Sequence, residues 1–460
     1  MSVLATVREA LRGSKQDFTE GPIGRSLVML AVPMVLETVL ESLFAVVDIF
    51  FVAHLGADAI ATVGLTESME SLVYAVAIGL GIGATAVVAR RTGEKDLEGA
   101  AHAAAQAILL GVLVALPFAL AGIRYAPQLL GALGGSDAVR REGASFTRVV
   151  MGGNTAVLLL FLVNAVFRGA GDATLAMRSL WLASACNIVL GPMFIFGVGP
   201  FPRLGLTGAA VGTTIGRSIG VLYQMSQLAR RDGRIVIRLR HFRPDPRALS
   251  QLVRLSASAI LQMLISTTSW VGLVRVLSAF GSSVLAGYTI GLRVIVFALL
   301  PSWGLSNAAA TLVGQNLGAK KPDRAEQAVW MAARYNMWVL GVIGLLFVAF
   351  AGPIIRFFTD DPAIVPWGVA CLRIVSLGFV FYAYGMVLTS AINGAGDTWT
   401  PTLLNAVCFW LWEVPLAWAL SRSTDLGPRG VFAAITVAFS TLALASAWIF
   451  RRGRWKTQAV

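Results

Sequence analysis

The stretch LVMLAVPMVLETVLESLFAVVDIFFVA, Leu27 to Ala53, runs 27 residues with three acids as its only charges. A hydrocarbon layer of about 30 Å needs about 20 apolar residues in a helix, so this stretch predicts a membrane span. Eleven further windows of the same kind follow: Ile60 to Ala89, Leu97 to Ile123, Ala144 to Phe167, Ala173 to Phe196, Gly205 to Leu228, Leu249 to Ser278, Val284 to Val313, Ala325 to Phe350, Ile364 to Ile392, Thr398 to Leu420 and Pro428 to Phe450. Twelve spans consume about 240 residues, which leaves little of the 460 for any soluble domain. The composition agrees: 57% hydrophobic, 13% charged and a mean hydropathy of +0.74 exclude an ordinary soluble enzyme.

The net charge of +13 raises nucleic-acid binding as a reading. The Lys and Arg residues instead concentrate in loops on the side of the amino terminus, including Arg230, Arg231, Arg234, Arg238, Arg240, Arg243 and Arg247. That is the signature of cytoplasmic loops, so both termini are expected in the cytoplasm and no nucleic-acid partner is expected. Cys186, Cys371 and Cys408 fall in apolar stretches without metal or redox spacing. The first 26 residues lack a signal peptide's apolar core and read as a cytoplasmic segment holding a surface amphipathic helix.

Sliding the chain on itself aligns its halves at one constant offset. Gly56 meets Gly281, Gly93 meets Gly318, Lys95 meets Lys320, Arg148 meets Arg373, and Gly169-Ala170-Gly171-Asp172 meets Gly394-Ala395-Gly396-Asp397. Each copy holds six spans, an even number, so the copies share one orientation about a pseudo-two-fold axis along the membrane normal. The expected architecture is an all-α integral membrane protein with twelve transmembrane helices in two pseudo-symmetric six-helix bundles. It divides into a cytoplasmic segment 1–26, an amino-terminal lobe 27–228, a basic cytoplasmic linker 229–248, a carboxy-terminal lobe 249–450 and a cytoplasmic tail 451–460. In each GAGD element Gly supplies the left-handed residue that ends one helix and Asp caps the next. The Gly79-x-Gly81-x-Gly83 run matches a nucleotide fingerprint only superficially. No strand precedes it, and small-residue helix packing is the expectation.

Ionisable groups inside spans are costly and mark function by default. Glu37, Glu41 and Asp48 lie at i, i+4 and i+11, within about 40° of one another around the helix, and form one acidic stripe. Glu67 and Glu70 are i, i+3 neighbours on the second span. For that pair a solvated position near a membrane face weighs as much as function, and Asp48 lies close to the outer end of its span. The equivalent positions in the second half, Gln262, Ser266, Leu273, Leu292 and Ile295, carry no acid. Function is therefore expected to be asymmetric between the lobes. Arg275, Arg293 and Glu413 are the deep charges of the second half. For Arg275 and Glu413 a self-neutralising ion pair is expected first and a cavity role second. His102 and Gln106 are expected to do structural work at the interface, and Pro33 offers a hinge or a fixed kink.

The ordered set TEGPIGRSLVMLAVPMVL (19–36), VVDIFFVAHLGADAIATVGL (46–65), RRTGEKDLEGA (90–100), its counterpart GQNLGAKKPDRAE (314–326), FRGAGD and NGAGD resembles the multidrug and toxic compound extrusion (MATE) transporters over nearly the whole chain. The resemblance implies twelve helices in two lobes around a central cavity, exporting organic cations in exchange for H⁺ or Na⁺. It also implies an acid at the position of Asp48, an Asn at Asn187, an acid four residues later, and a Thr at Thr213. Here Gly191 stands where that second acid is expected, and Glu37, Glu41 or Glu67 is left to supply the carboxylate. No phosphate loop occurs, so ion exchange is the expected drive. A proton needs one carboxylate, whereas Na⁺ needs several fixed oxygens, so proton coupling through Asp48 or Glu41 is the favoured expectation. The coupling-ion and substrate-cation candidates are thus Asp48, Glu41, Glu37, Asn187, Thr213, Glu67 and Glu70, with no enzymatic activity and no cofactor beyond the ion. The expected setting is a monomer in the cell's inner (plasma) membrane. A lipid-linked oligosaccharide flippase is the nearest alternative, disfavoured by the acidic first lobe. A membrane prenyltransferase fails because Asp360-Asp361-Pro362 does not continue into an acidic metal motif.

Overall fold

The computed structural model describes residues 3–13, 16–231 and 233–458, apart from the side chains of Val3, Ala45, Val46, Asp48, Ile49, Ala53 and Ala57. A short helix, α1 (Val3–Arg12), precedes the first half, which holds α2 (Ile23–Ala53), α3 (Ala57–Gly93), α4 (Leu97–Ala132), α5 (Asp137–Gly152), α6 (Asn154–Gly169), α7 (Ala173–Phe196) and α8 (Leu206–Ala229). The second half repeats the order with α9 (Pro246–Leu277), α10 (Ser282–Gly318), α11 (Pro322–Arg356), α12 (Val365–Ser376), α13 (Phe379–Gly394), α14 (Trp399–Asn405) continuing through a π-helical turn Ala406–Glu413 into α15 (Val414–Arg422), and α16 (Pro428–Arg451). Among the described residues ten helical stretches are long and apolar enough to span a membrane, and the bent pair α12–α13 makes an eleventh. The twelfth, α8, falls short in hydropathy because it carries Thr213, Thr214, Arg217, Ser218 and Gln224. Its polarity belongs to the site described below.

Two expected spans are broken. The window Ala144 to Phe167 begins earlier, at Asp137, and is interrupted at Gly152-Gly153, where two glycines remove the side chains that would stiffen the helix. Its counterpart is interrupted at Leu377-Gly378 and bends by 57°. Helix α2 starts at Ile23, a turn before the expected Leu27.

The repeat is visible in the backbone. Lys95 and Lys320, equivalent in the two halves, both take left-handed φ, 61° and 58°. Gly171 and Gly396 close the GAGD turns at φ 82° and 93°. The expected Asp cap is made only once. Asp397 accepts bonds from the Thr400 N–H (3.1 Å) and hydroxyl (2.6 Å), whereas Asp172, at the N-cap position of α7, makes no side-chain capping bond.

The halves meet through small residues. A Cβ on Gly79 or Gly83 would strike α9 at Ile260 or Ser256, one on Gly93 the backbone of Gln315, and one on Gly304 the Val35 nitrogen. The glycine run of α3 is therefore a helix-packing surface, as expected. These contacts lie at the end of the bundle that carries both termini and at mid-depth.

The segment before α2 straps the same end. Glu9 pairs with Arg25 at 2.7 Å, Thr174 donates to the Ala10 carbonyl at 2.8 Å, and Arg178 donates to the Arg12 carbonyl at 2.9 Å. Phe18 is buried beneath Arg234, which donates to the Gln16 carbonyl at 2.7 Å. On the second half, Lys321 donates to the Thr19 carbonyl (3.0 Å) and Arg324 to those of Glu20 (2.9 Å) and Gly21 (2.8 Å). The linker is pinned as well: the Gln106 amide donates to the His241 (2.7 Å) and Arg243 (2.8 Å) carbonyls, and His102 lies 3.2 Å from Asp245. His102 and Gln106 do the structural work expected of them.

Candidate functional site

The acidic face of α2 turns inward against α6, α7 and α8. Glu37 is 4% exposed. One of its oxygens accepts from Arg168 Nη1 at 2.7 Å and from Asn164 Nδ2 at 2.9 Å. Asn164 Oδ1 in turn accepts from Gln224 Nε2 at 2.7 Å, and that nitrogen also donates to the Leu160 main-chain carbonyl at 3.0 Å. A buried charge held by a cation and an amide is satisfied without water. Glu37 is thus committed to structure in this state.

One turn on, Glu41 has no such anchor and lines a small pocket with Asn187, Arg217, Phe44, Phe161 and Leu180. Arg217, from α8, donates from Nη2 to the Tyr74 hydroxyl at 2.7 Å and places Nη1 3.8 Å from Glu70. Asn187 Nδ2 donates to the Thr213 hydroxyl at 2.6 Å, which donates onward to the Ala209 carbonyl at 3.0 Å. Gly191 lies at one of the close approaches of α7 and α8, because a Cβ on Gly212 would fall 2.8 Å from the Gly191 Cα. The departure from the family pattern coincides with a tight helix crossing.

Of the sequence candidates, Glu41, Asn187 and Thr213 thus gather around one pocket, Glu70 joins them through Arg217, and Glu37 forms the adjoining network. Glu67 stays apart: its side chain is exposed, on the face of α3 within electrostatic reach of Arg293 on α10. The side chain of Asp48 lies outside the described residues.

The expected Arg275–Glu413 pair does not form. On α9 the inward positions are Leu273, Val276 and Leu277, so Arg275 points outward and is exposed. Arg293, three turns into α10, is exposed as well and lies within electrostatic reach of Glu67 on α3. Glu413 is 2% exposed at the end of the π-helical turn, and its Oε1 has no hydrogen-bond partner among the described residues. The residue inserted by the π turn rotates Glu413 away from the register that an unbroken α-helix predicts.

Sequence reading missed Arg217, Arg168, Tyr74 and Asn164. The signal for Arg217 was available, because an arginine inside the apolar window Gly205 to Leu228 meets the rule that singled out the acids.

Against known proteins, the MatE family model matches residues 33–193 and 258–419, once in each half. The chain is 25% identical over 450 residues to a probable multidrug resistance protein NorM of Thermotoga maritima, covering 95% of this chain and 94% of the relative. It is 24% identical over 434 residues to a FAD transporter of Shewanella oneidensis, covering 94% and 95%. Among solved structures, an outward-facing multidrug resistance MATE transporter of the MOP superfamily superposes with a TM-score of 0.89 at 25% identity, over 97% of this chain and 99% of that one. With both halves matched in turn and the twelve-helix fold shared from end to end, the chain belongs to the MatE family of multi-pass membrane transporters.

Proposed function

We propose that the protein exports small organic cations in exchange for protons, by alternating access of a site in its first lobe. The observation that carries this reading is the pocket in which Glu41 stands without a committed partner beside Asn187, Thr213 and the Arg217–Glu70 pair. A carboxylate in a water-poor pocket takes either a proton or a cation, and the two compete for its charge. Loading protons from outside displaces the bound cation there, and reopening inward releases the protons. Proton coupling is favoured over Na⁺ because Gly191 offers no side-chain oxygen and Asn187 and Thr213 are already bonded to each other. The half-buried Arg168 and Arg217 each face a carboxylate, so neither offers a free positive charge to an anionic substrate such as a flavin dinucleotide or a lipid pyrophosphate. In this reading the protein acts as a monomer in the plasma membrane with both termini in the cytoplasm.

The test is ethidium transport by the purified protein in liposomes, run separately under ΔpH and ΔNa⁺. Movement under ΔpH alone is the expected result. Movement that survives collapse of ΔpH and stops on withdrawal of Na⁺ would overturn the proton assignment, and none under either gradient would overturn the export reading.

A further inference from the structure

Arg217 is a cation that the protein brings to its own cation site. The charged and titratable groups around it are Glu70 and Tyr74 from α3, with Glu67 a turn away, and Glu41 from α2 with the paired Glu37 beyond it. From α7 the pocket receives only uncharged side chains, Ser184 and Asn187 among them, and from α6 the Phe161 ring, with the Arg168 guanidinium on Glu37 also acting on Glu41. The guanidinium is tied at one end, where Nη2 donates to Tyr74 and the group lies 5.8 Å from that ring's centroid. Its other end is loose: Nη1 is buried, 3.8 Å from Glu70, and makes no hydrogen bond. A buried guanidinium nitrogen at ion-pair distance from one carboxylate and sharing a pocket with another is poised between two acceptors.

We propose that Arg217 is a tethered competitor that sets cation affinity and couples it to protons: it rests on Glu70 while a substrate cation occupies Glu41, and turns to Glu41, expelling the substrate, once Glu70 is protonated. This deepens the export reading and rests on it. Electrostatics supply the direction. With Glu70 charged, Arg217 is neutralised locally and Glu41 is free to attract a cation. With Glu70 neutral, Glu41 is the one remaining acceptor within the tether's reach, and a second cation there meets like charge. Substrate and proton thus exclude each other through a side chain as well as by competing directly for the Glu41 carboxylate.

The experiment measures ethidium affinity of the full-length protein in lipid nanodiscs across pH, for wild type, Glu70→Gln, Arg217→Met, Arg217→Lys and the double variant Glu70→Gln/Arg217→Met. Glu70→Gln mimics the protonated state and is expected to weaken binding at every pH by at least about fivefold, the lower end of typical coupling between sites. Arg217→Met is expected to bind more tightly than wild type and to hold the dye to lower pH, and Arg217→Lys to restore the wild-type profile. In the double variant, loss of the competitor restores the binding that Glu70→Gln removes. This rescue also separates the proposal from misfolding of the single variant, because a damaged fold is not repaired by a second substitution in the same pocket. Wild-type affinity and pH profile in Arg217→Met, or no rescue in the double variant, overturns the role of Arg217 while leaving the export reading intact. Failure of the wild type itself to bind or move ethidium overturns both.

Discussion

The two halves share a topology and differ in what they bury. The first places Glu37, Arg168, Asn164 and Gln224 in one hydrogen-bonded chain, and Glu41, Glu70, Arg217 and Tyr74 in a looser set beside it. At the corresponding depth the second half packs Tyr288 on Phe432, Tyr382 on Phe439 and Phe409 on Phe439, with Glu413 alone among them. The duplicated fold thus buries a connected set of ionisable groups in one copy and a mainly aromatic interior with a single carboxylate in the other.

The comparison breaks most visibly at Glu41. Glu41→Gln should abolish ΔpH-driven dye export in liposomes while the protein still inserts and folds, whereas Glu413→Gln should export at a near wild-type rate. The opposite pattern would move the working site to the second lobe. Glu37→Gln asks what the committed network is worth. It leaves the half-buried Arg168 charge without its carboxylate, a loss below the about 3–5 kcal/mol of a fully buried pair that loses one member, read as a fall in the thermal unfolding midpoint of the purified protein. Removing the unpaired Glu413 carboxylate by Gln should instead leave that midpoint unchanged or raise it, because no ion pair is broken. The smallest effect is expected at the linker between the halves. Hydrogen bonds from His102 and from the Arg247 and Ala248 N–H groups hold the Asp245 carboxyl below its usual range. Its folded pKa is depressed, so the stabilisation is present above the ordinary carboxylate value and fades as pH falls through the folded one. Protease cleavage within the linker should therefore rise below about pH 4, and should do so less in Asp245→Asn, which starts without the charge.

Much of this fold was legible because hydropathy and the internal offset are collective signals. No single residue decides a span, and the GAGD turns and paired lysines recur whatever surrounds them. What was not legible depended on local backbone. The breaks at Gly152-Gly153 and Leu377-Gly378 interrupt apolar runs that look continuous, and neither the π turn at Ala406–Glu413 nor the outward face that Arg275 takes on α9 can be read from the two opposite charges that suggested their pairing. The site was half legible. Carboxylate spacing on α2 found Glu37 and Glu41, and the family pattern found Asn187 and Thr213. The arginines that give those acids distinct roles come from α6 and α8, and pairing across helices far apart in sequence is set by tertiary packing.

The amino-terminal strap is gripped almost entirely by its main chain. Arg178, Arg234, Lys321 and Arg324 hold carbonyl oxygens between Leu11 and Gly21, and every residue type offers the same carbonyl. The clasp therefore reads the path of the segment and is blind to most of its spelling. A short insertion should therefore disturb the clasp more than substitutions at the strap's exposed positions, whereas the buried Ala10, Phe18 and Thr19 and the left-handed Gly13 and Gly21 are held to their own residue types by packing and backbone.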